Sequence, residues 1–326
     1  MEKRQYKVHH DDEGSRLDRW CQRILGSAPN SVYQKAIRKG LIRVQGKKAE
    51  ANTRVTRDQT VEVRGDLGMT HEEHEVRARP KKDMVLTDAI AAEAQSYVIY
   101  KDDDIIVLNK PHGLAVQGGS KLTKHLDGML PALQYEARDL PRLVHRLDKD
   151  TSGVLVLARN LKAASELQRC FANKKLQKIY LALVVGQPQP YEGEIESNME
   201  KSARGEHSRE MVRSVEEDGK RALTRYKTIE SLAGKLSLVE LEPITGRTHQ
   251  LRVHMAELGC PILGDGKYGG KEAHIRGTVT LSGKLHLHAW KLHLPSMFGE
   301  RPRSFTAPLP EYFSDTLDAL GLVLET

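Results

Sequence analysis

His145-Arg146-Leu147-Asp148-Lys149-Asp150-Thr151-Ser152-Gly153 is a polar loop between two apolar runs, Leu143-Val144 before it and Val154-Leu155-Val156-Leu157-Ala158 after it. Short apolar runs of this kind predict buried strands, so the loop is presented at the end of a sheet. Loops held by packed elements are where catalytic side chains concentrate, and this one sets the Asp148 carboxylate two residues from the Arg146 guanidinium. Taken alone, the nine residues are equally an ordinary solvated turn, in which Asp, Thr and Ser side chains bond their own backbone. Their meaning depends on what the rest of the chain brings to them.

Working outward, the segments alternate in type. Residues 98–100 and 105–108 predict strands. Asn160 caps a predicted helix with Leu161, Ala164, Leu167 and Phe171 along one side, ending near Asn173. Residues 180–185 and 236–241 predict further strands, the second leading through Pro243 and Gly246 into a helix over about 248–257 that Gly259 stops. Residues 193–220 read as extended or loop segments around a strand pair. No regular βαβ repeat and no tandem repeat is present, so the fold class is α+β.

The formal charge is concentrated at the start. The whole chain carries +7, and residues 1–64 hold 15 Lys and Arg against 8 Asp and Glu, which leaves the remainder neutral. Within residues 14–64, Leu17, Trp20, Ile24 and Leu25 fall on one helical face, with Gly26 as the stop. Ser31 caps a second predicted helix over 32–39, whose polar face carries Lys35, Arg38 and Lys39. Short strands at 41–44 and 60–64 complete a small sheet. The layout resembles an S4-type RNA-binding domain, and that resemblance implies that Lys35, Arg38 and Lys39 meet phosphates. A charge run is otherwise a solvated face. The collection of the whole excess here favours RNA, because phosphate neutralisation releases counterions. Trp20 reads as core, so shape and phosphate contact are expected to dominate over base stacking.

Residues 65–96 read as a polar linker. His71 and His74 within it form a pair of metal-ligand types, but no Cys or further His stands beside them, and a solvated linker is the preferred reading. At 326 residues the chain has room for one medium domain and one small one. No apolar run approaches the roughly 20 residues of a spanning helix, and the polar first residues lack a signal-peptide core, so the expected location is the cytoplasm, with no membrane partner. Cys21, Cys170 and Cys260 are far apart and form no Cys-x-x-Cys pattern, which argues against both a disulfide framework and a zinc knuckle.

Two further blocks accompany the Asp148 loop. Tyr180 lies in Gln177-Lys178-Ile179-Tyr180-Leu181-Ala182-Leu183-Val184, and Arg247 lies in Thr245-Gly246-Arg247-Thr248-His249-Gln250-Leu251-Arg252-Val253-His254. With Asn109-Lys110-Pro111-x-Gly113, this ordered set resembles the RluA-type pseudouridine synthases from about residue 97 to the end. Gln117-Gly118-Gly119-Ser120 is similar to the RluC branch. The resemblance implies a catalytic domain over residues 97–326, with a mixed, mainly antiparallel central sheet flanked by helices. It implies isomerisation of uridine to pseudouridine, a reaction that needs no cofactor and no metal, and no feature of the chain demands more than a monomer. The expected partner is RNA, namely 23S ribosomal RNA or a large-subunit assembly intermediate.

By the same resemblance Asp148 is the catalytic carboxylate and Arg247 the guanidinium that favours its ionised form. Tyr180 packs against the flipped base, and Leu251 supplies an apolar wall. Arg146 enters the RNA stack in place of the extruded uridine, offsetting an unstacking cost of roughly a few kcal/mol. Without the resemblance, Tyr180 and Leu251 would read as ordinary core. Asn109 and Lys110 read as structural or phosphate-facing.

Competing readings are weaker. Gly264-Asp265-Gly266-Lys267-Tyr268-Gly269 satisfies G-x-G-x-x-G, but no apolar helix follows it, so a dinucleotide site is not indicated. His286, His288 and His293 suggest zinc, yet alternation along a strand accounts for the first two. A glycosidase needs two cooperating carboxylates, and Asp148 has no evident second. A transfer RNA substrate stays open. A non-catalytic RNA-binding or ribosome-assembly factor is the alternative class, against which the intact Asp148, Tyr180 and Arg247 speak.

Overall fold

Leu17, Trp20 and Cys21 recur at the spacing that keeps side chains on one helical face, and all three are buried in the first unit of the chain. The computed structural model describes residues 3–9, 12–26, 28, 30–65, 86–118, 124–202, 211–215, 219–275 and 281–324. His71 and His74 lie outside them. The chain divides into two units, Met1–Asp83 and Met84–Thr326. In the first, strand Lys3–Lys7 (β1) precedes helices Leu17–Leu25 (α1) and Asn30–Arg38 (α2) and strands Ile42–Val44 (β2), Lys47–Lys48 (β3) and Thr60–Arg64 (β4). The strands form an antiparallel sheet in the order β1-β4-β2-β3. The sheet thus draws in Lys3–Lys7, ahead of the start expected at residue 14.

Two local expectations are corrected in this unit. Ile24 is 41% exposed, and Cys21, one turn after Leu17, takes its place in the core. Helix α2 begins at Asn30, so Ser31 lies in its first turn instead of capping it.

The second unit opens with helix Asp88–Ser96 (α3), where the Thr87 hydroxyl accepts the Ile90 N–H at 3.3 Å. Part of the span read as linker is therefore helical. Strands Val98–Lys101 (β5) and Ile105–Lys110 (β6), the helical turn Leu126–Met129 (α4) and strands Arg142–Leu143 (β7) and Ser152–Ala158 (β8) follow. Helix Leu161–Ala172 (α5) is capped by Asn160, whose side chain accepts the Ala163 N–H at 2.8 Å. Then come strands Gln177–Val185 (β9), Glu192–Ser202 (β10), Met211–Val215 (β11), Lys220–Leu232 (β12) and Leu236–Pro243 (β13), and helix Gln250–Glu257 (α6). Strands Leu287–Leu294 (β14) and Arg303–Thr306 (β15) and helix Glu311–Leu320 (α7) close the unit.

The 11-stranded sheet runs β11-β10-β12-β13-β9-β14-β8-β6-β5, with β15 on β14 and β7 on β8. Among the described strands only β14 and β8 pair in parallel, so the fold is α+β with a mixed, mainly antiparallel sheet. Every residue of β8 is buried. Val154 and Val156 pack with α5 on one face, and Leu155 and Leu157 with α3 and α4 on the other. A strand covered on both faces has no polar alternation, and each such side chain contributes about 1.5–3 kcal/mol by burial.

One row across this sheet positions the loops. Lys110 of β6 pairs with Gly153 of β8, Gly153 with Ala289 of β14, Ala289 with Tyr180 of β9, and Tyr180 with Leu241 of β13. The Asp148 loop precedes this row on β8, and the Arg247 loop follows it on β13.

Candidate active site

The Asp148 loop is anchored from below. Lys110 is wholly buried, and its Nζ donates to the carbonyls of Pro111 at 2.9 Å, Leu114 at 2.8 Å and Lys149 at 3.1 Å. Burial pushes this ammonium down to about 7, against the opposing pull of Asp150 and Asp148. At the other end His145 Nε2 accepts the Val156 N–H at 2.9 Å, and the ring stacks on Phe171 with centroids 4.5 Å apart. Burial holds His145 at about 3, so it is neutral and anchors the loop without charge. Leu147 points into the core. Between these anchors Asp148 keeps its carboxylate 21% exposed.

A cavity of about 540 Å³ opens over this carboxylate. Asp148, Tyr180, Arg247, Arg146 and Leu251, which sequence reasoning placed at one site, all line it. Tyr180 is held protonated, its phenol pushed up by burial and then by the Asp148 charge. Arg146 is exposed at the cavity. Leu251 is 6% exposed and belongs both to the wall and to the packing of α6 against the sheet.

Arg247 differs from expectation in its direction. No ion pair joins it to Asp148; its Nε donates to the Arg221 carbonyl at 3.0 Å, and its backbone N–H to Gln250 Oε1 at 3.0 Å. Gln250 ties the loop to β12 through bonds to the Leu223 carbonyl and the Thr224 hydroxyl, both 2.9 Å. The side chain that stands in ion-pair range of Asp148 is His249, with Nε2 3.7 Å from Oδ2. Beneath lies Arg252, which lines the cavity, feels the Asp148 charge and makes a buried bidentate pair with Asp265 at 2.8 and 2.7 Å.

Residues 104–257, the stretch that contains Asp148, Tyr180, Arg247, His249 and Arg252, match the RNA pseudouridylate synthase family. The ribosomal large subunit pseudouridine synthase C of Rickettsia felis is 39% identical over 305 residues, covering 92% of this chain and 95% of the relative. The chain belongs to the RNA pseudouridylate synthase family. The enzyme of the same name from Escherichia coli is 36% identical, with 95% and 94% covered. Among solved structures, human RNA pseudouridylate synthase domain containing 4 superposes with a TM-score of 0.61 at 30% identity, covering 73% of this chain and 99% of that one. The expected RluA-type membership, close to the RluC branch, holds.

As a pseudouridine synthase this chain is an isomerase acting on RNA. His249, Gln250, Arg252, Asp265 and Tyr268 around its cavity were missed as site residues. The His249-to-Arg252 run was in view, but nothing local pairs Arg252 with a carboxylate 13 positions away. The Gly264–Gly269 stretch serves this pairing. Asp265 also accepts the Lys267 and Tyr268 N–H groups, each at 3.1 Å. The histidines that suggested zinc are engaged elsewhere: His288 bonds Ser152 Oγ and the Ala307 carbonyl, and His286 bonds the Lys284 carbonyl and Thr316 Oγ1. Among the described residues no cluster of His, Cys, Asp or Glu could hold a metal ion, and no helix is long and apolar enough to cross a membrane.

Proposed function

We propose that this pseudouridine synthase modifies uridines of large-subunit ribosomal RNA in the cytoplasm, with Asp148 as its catalytic carboxylate. The observation that carries the assignment is the convergence of Asp148, Tyr180, Arg146, Arg247 and Leu251 on one cavity from three separate stretches of sequence. The substrate class is supported by the names of the relatives, which act on the large ribosomal subunit. It is supported too by the basic excess of residues 1–64.

In the reaction the N1–C1′ bond of uridine breaks, the free uracil turns, and a C5–C1′ bond forms. C5 loses a proton and N1 gains one, so no electrons are exchanged with a carrier. Asp148 works at the sugar in its ionised form, by attack on C1′ or by proton abstraction. Tyr180 presents its ring, with the phenol neutral, against the flipped base. Arg146, exposed at the cavity mouth, takes the place of the extruded nucleotide in the RNA stack. The first unit is read as an S4-like RNA-binding domain. Lys35, Arg38 and Lys39 are exposed there and make no ion pair among the described residues, which leaves them free for phosphates.

The test is to incubate wild type and Asp148→Asn with unmodified large-subunit ribosomal RNA and map pseudouridine by carbodiimide labelling and reverse transcription. Stops from the wild type alone are expected, with RNA affinity of the variant within about twofold because the change is isosteric. Full activity of Asp148→Asn would remove it from the chemistry. Activity on transfer RNA but not on ribosomal RNA would redirect the substrate, and RNA binding without product from either protein would favour an assembly factor.

A further inference from the structure

His249 occupies a backbone conformation that its neighbours do not. At φ 55°, ψ 18° it is left-handed, immediately before α6. A non-glycine residue there is uncommon, with Asn, Asp and His the side chains that tolerate it best. The kink delays the helix by two residues relative to the expected start at 248 and turns the imidazole back over the Asp148 loop, 3.7 Å from Oδ2.

The other ring nitrogen is occupied. His249 Nδ1 lies 2.6 Å from the Tyr268 hydroxyl, and that hydroxyl oxygen accepts the Val212 N–H at 3.2 Å. The Lys267 ammonium, which can only donate, lies 3.4 Å from the same Nδ1, so this nitrogen faces donors, and Tyr268, whose oxygen already takes the Val212 N–H, directs its own proton to it. Nδ1 is then the acceptor, and the ring proton sits on Nε2, facing Asp148. Burial lowers the imidazole from its usual range and outweighs the pull of Asp148, in keeping with a neutral ring. Tyr268 is itself held in place, because its N–H bonds Asp265 and the Arg252 guanidinium lies 5.1 Å from its ring centroid. Catalytic hydrogen bonds are often long in free enzymes and tighten when substrate enters.

We propose that His249 is a positioning residue, whose Nε2–H, set by the Tyr268 hydroxyl and the Lys267 ammonium at Nδ1, orients the Asp148 carboxylate toward the sugar of the bound uridine. This rests on the assignment of Asp148 as the catalytic carboxylate. The Gly264–Gly269 turn, which carries Lys267 and Tyr268, thereby gains a role in fixing one tautomer.

Single-turnover rates and RNA affinities of full-length His249→Gln, His249→Asn, His249→Leu and Tyr268→Phe test it, beside wild type and Asp148→Asn. A Gln amide nitrogen stands near the Nε2 position, whereas Asn donates only near Nδ1 but suits the left-handed backbone better. The expected order of rates is wild type, then His249→Gln, then His249→Asn and His249→Leu. The last two should fall about 10- to 100-fold, the worth of a hydrogen bond to a charged group, with affinity unchanged.

Tyr268→Phe should slow the wild type but not His249→Gln, which has no tautomer to set. Asn faster than Gln would reduce His249 to a backbone role and overturn the proposal. So would an equal Tyr268→Phe penalty in both backgrounds, or a wild-type rate for His249→Leu. Should Asp148→Asn match the wild type, the underlying assignment fails instead, and that result is separable from every outcome at His249.

Discussion

Lys110 is a buried ammonium whose three protons meet three backbone carbonyls, two of them in its own turn and one in the Asp148 loop. Lysines are almost never fully buried unless paired in this way. Replacing it with Met keeps the length and leaves the carbonyls without a donor, at about 1–3 kcal/mol for each group stranded. Lys110→Met should therefore unfold at lower urea, by about 3 kcal/mol or more, and lose turnover in the fraction that stays folded. A variant with wild-type stability would show that water replaces the ammonium. Sequence reading left Lys110 as structural or phosphate-facing, because an Asn-Lys-Pro turn says nothing about which way its ammonium points. Arg247 carries the same lesson, since its place at the cavity follows from its motif, while its bond to the Arg221 carbonyl follows from where β12 ends up.

At the scale of elements, the parallel crossing of β14 and β8 depends on Gly153. Its φ is +109°, and a Cβ built there would stand 2.1 Å from the Ala289 carbonyl oxygen. Both strands are fixed by cores on either face, so neither is free to move aside. Gly153→Ala is expected to destabilise the protein by about 4 kcal/mol or more, among the largest single-residue effects. Urea denaturation gives the value directly, and a loss below about 1 kcal/mol would mean that the crossing tolerates displacement. The strand over 154–158, which the structure begins at Ser152, and the helix after Asn160 were legible because an apolar run and an Asn cap are local signals. The start of α6 was not, since the left-handed turn at His249 goes with contacts to Tyr268 and the Asp148 loop, both remote from it in sequence.

At the scale of the whole molecule, residues 1–64 of the first unit hold the formal excess, and the cavity belongs to the second. If Lys35, Arg38 and Lys39 each neutralise one phosphate, changing all three to Gln should flatten the slope of log affinity against log salt. The expected change is about 2 to 3 units, at roughly 0.7–0.9 per contact. Single-turnover rate at saturating RNA should stay near wild type. An unchanged salt slope would take these three residues out of RNA contact, whatever the affinity.

From the sequence alone came the α+β class, the basic start, the family and the five residues that line the cavity, because periodicity, composition and contiguous motifs are local properties of a chain. The tertiary structure decided what depends on partners remote in sequence. It set Arg252 on Asp265, engaged the zinc-like histidines with hydroxyls and carbonyls, and brought His249 rather than Arg247 within ion-pair range of Asp148. Side-chain direction at a site is fixed by which strands become neighbours, and here that was settled by the register of the row from Lys110 to Leu241.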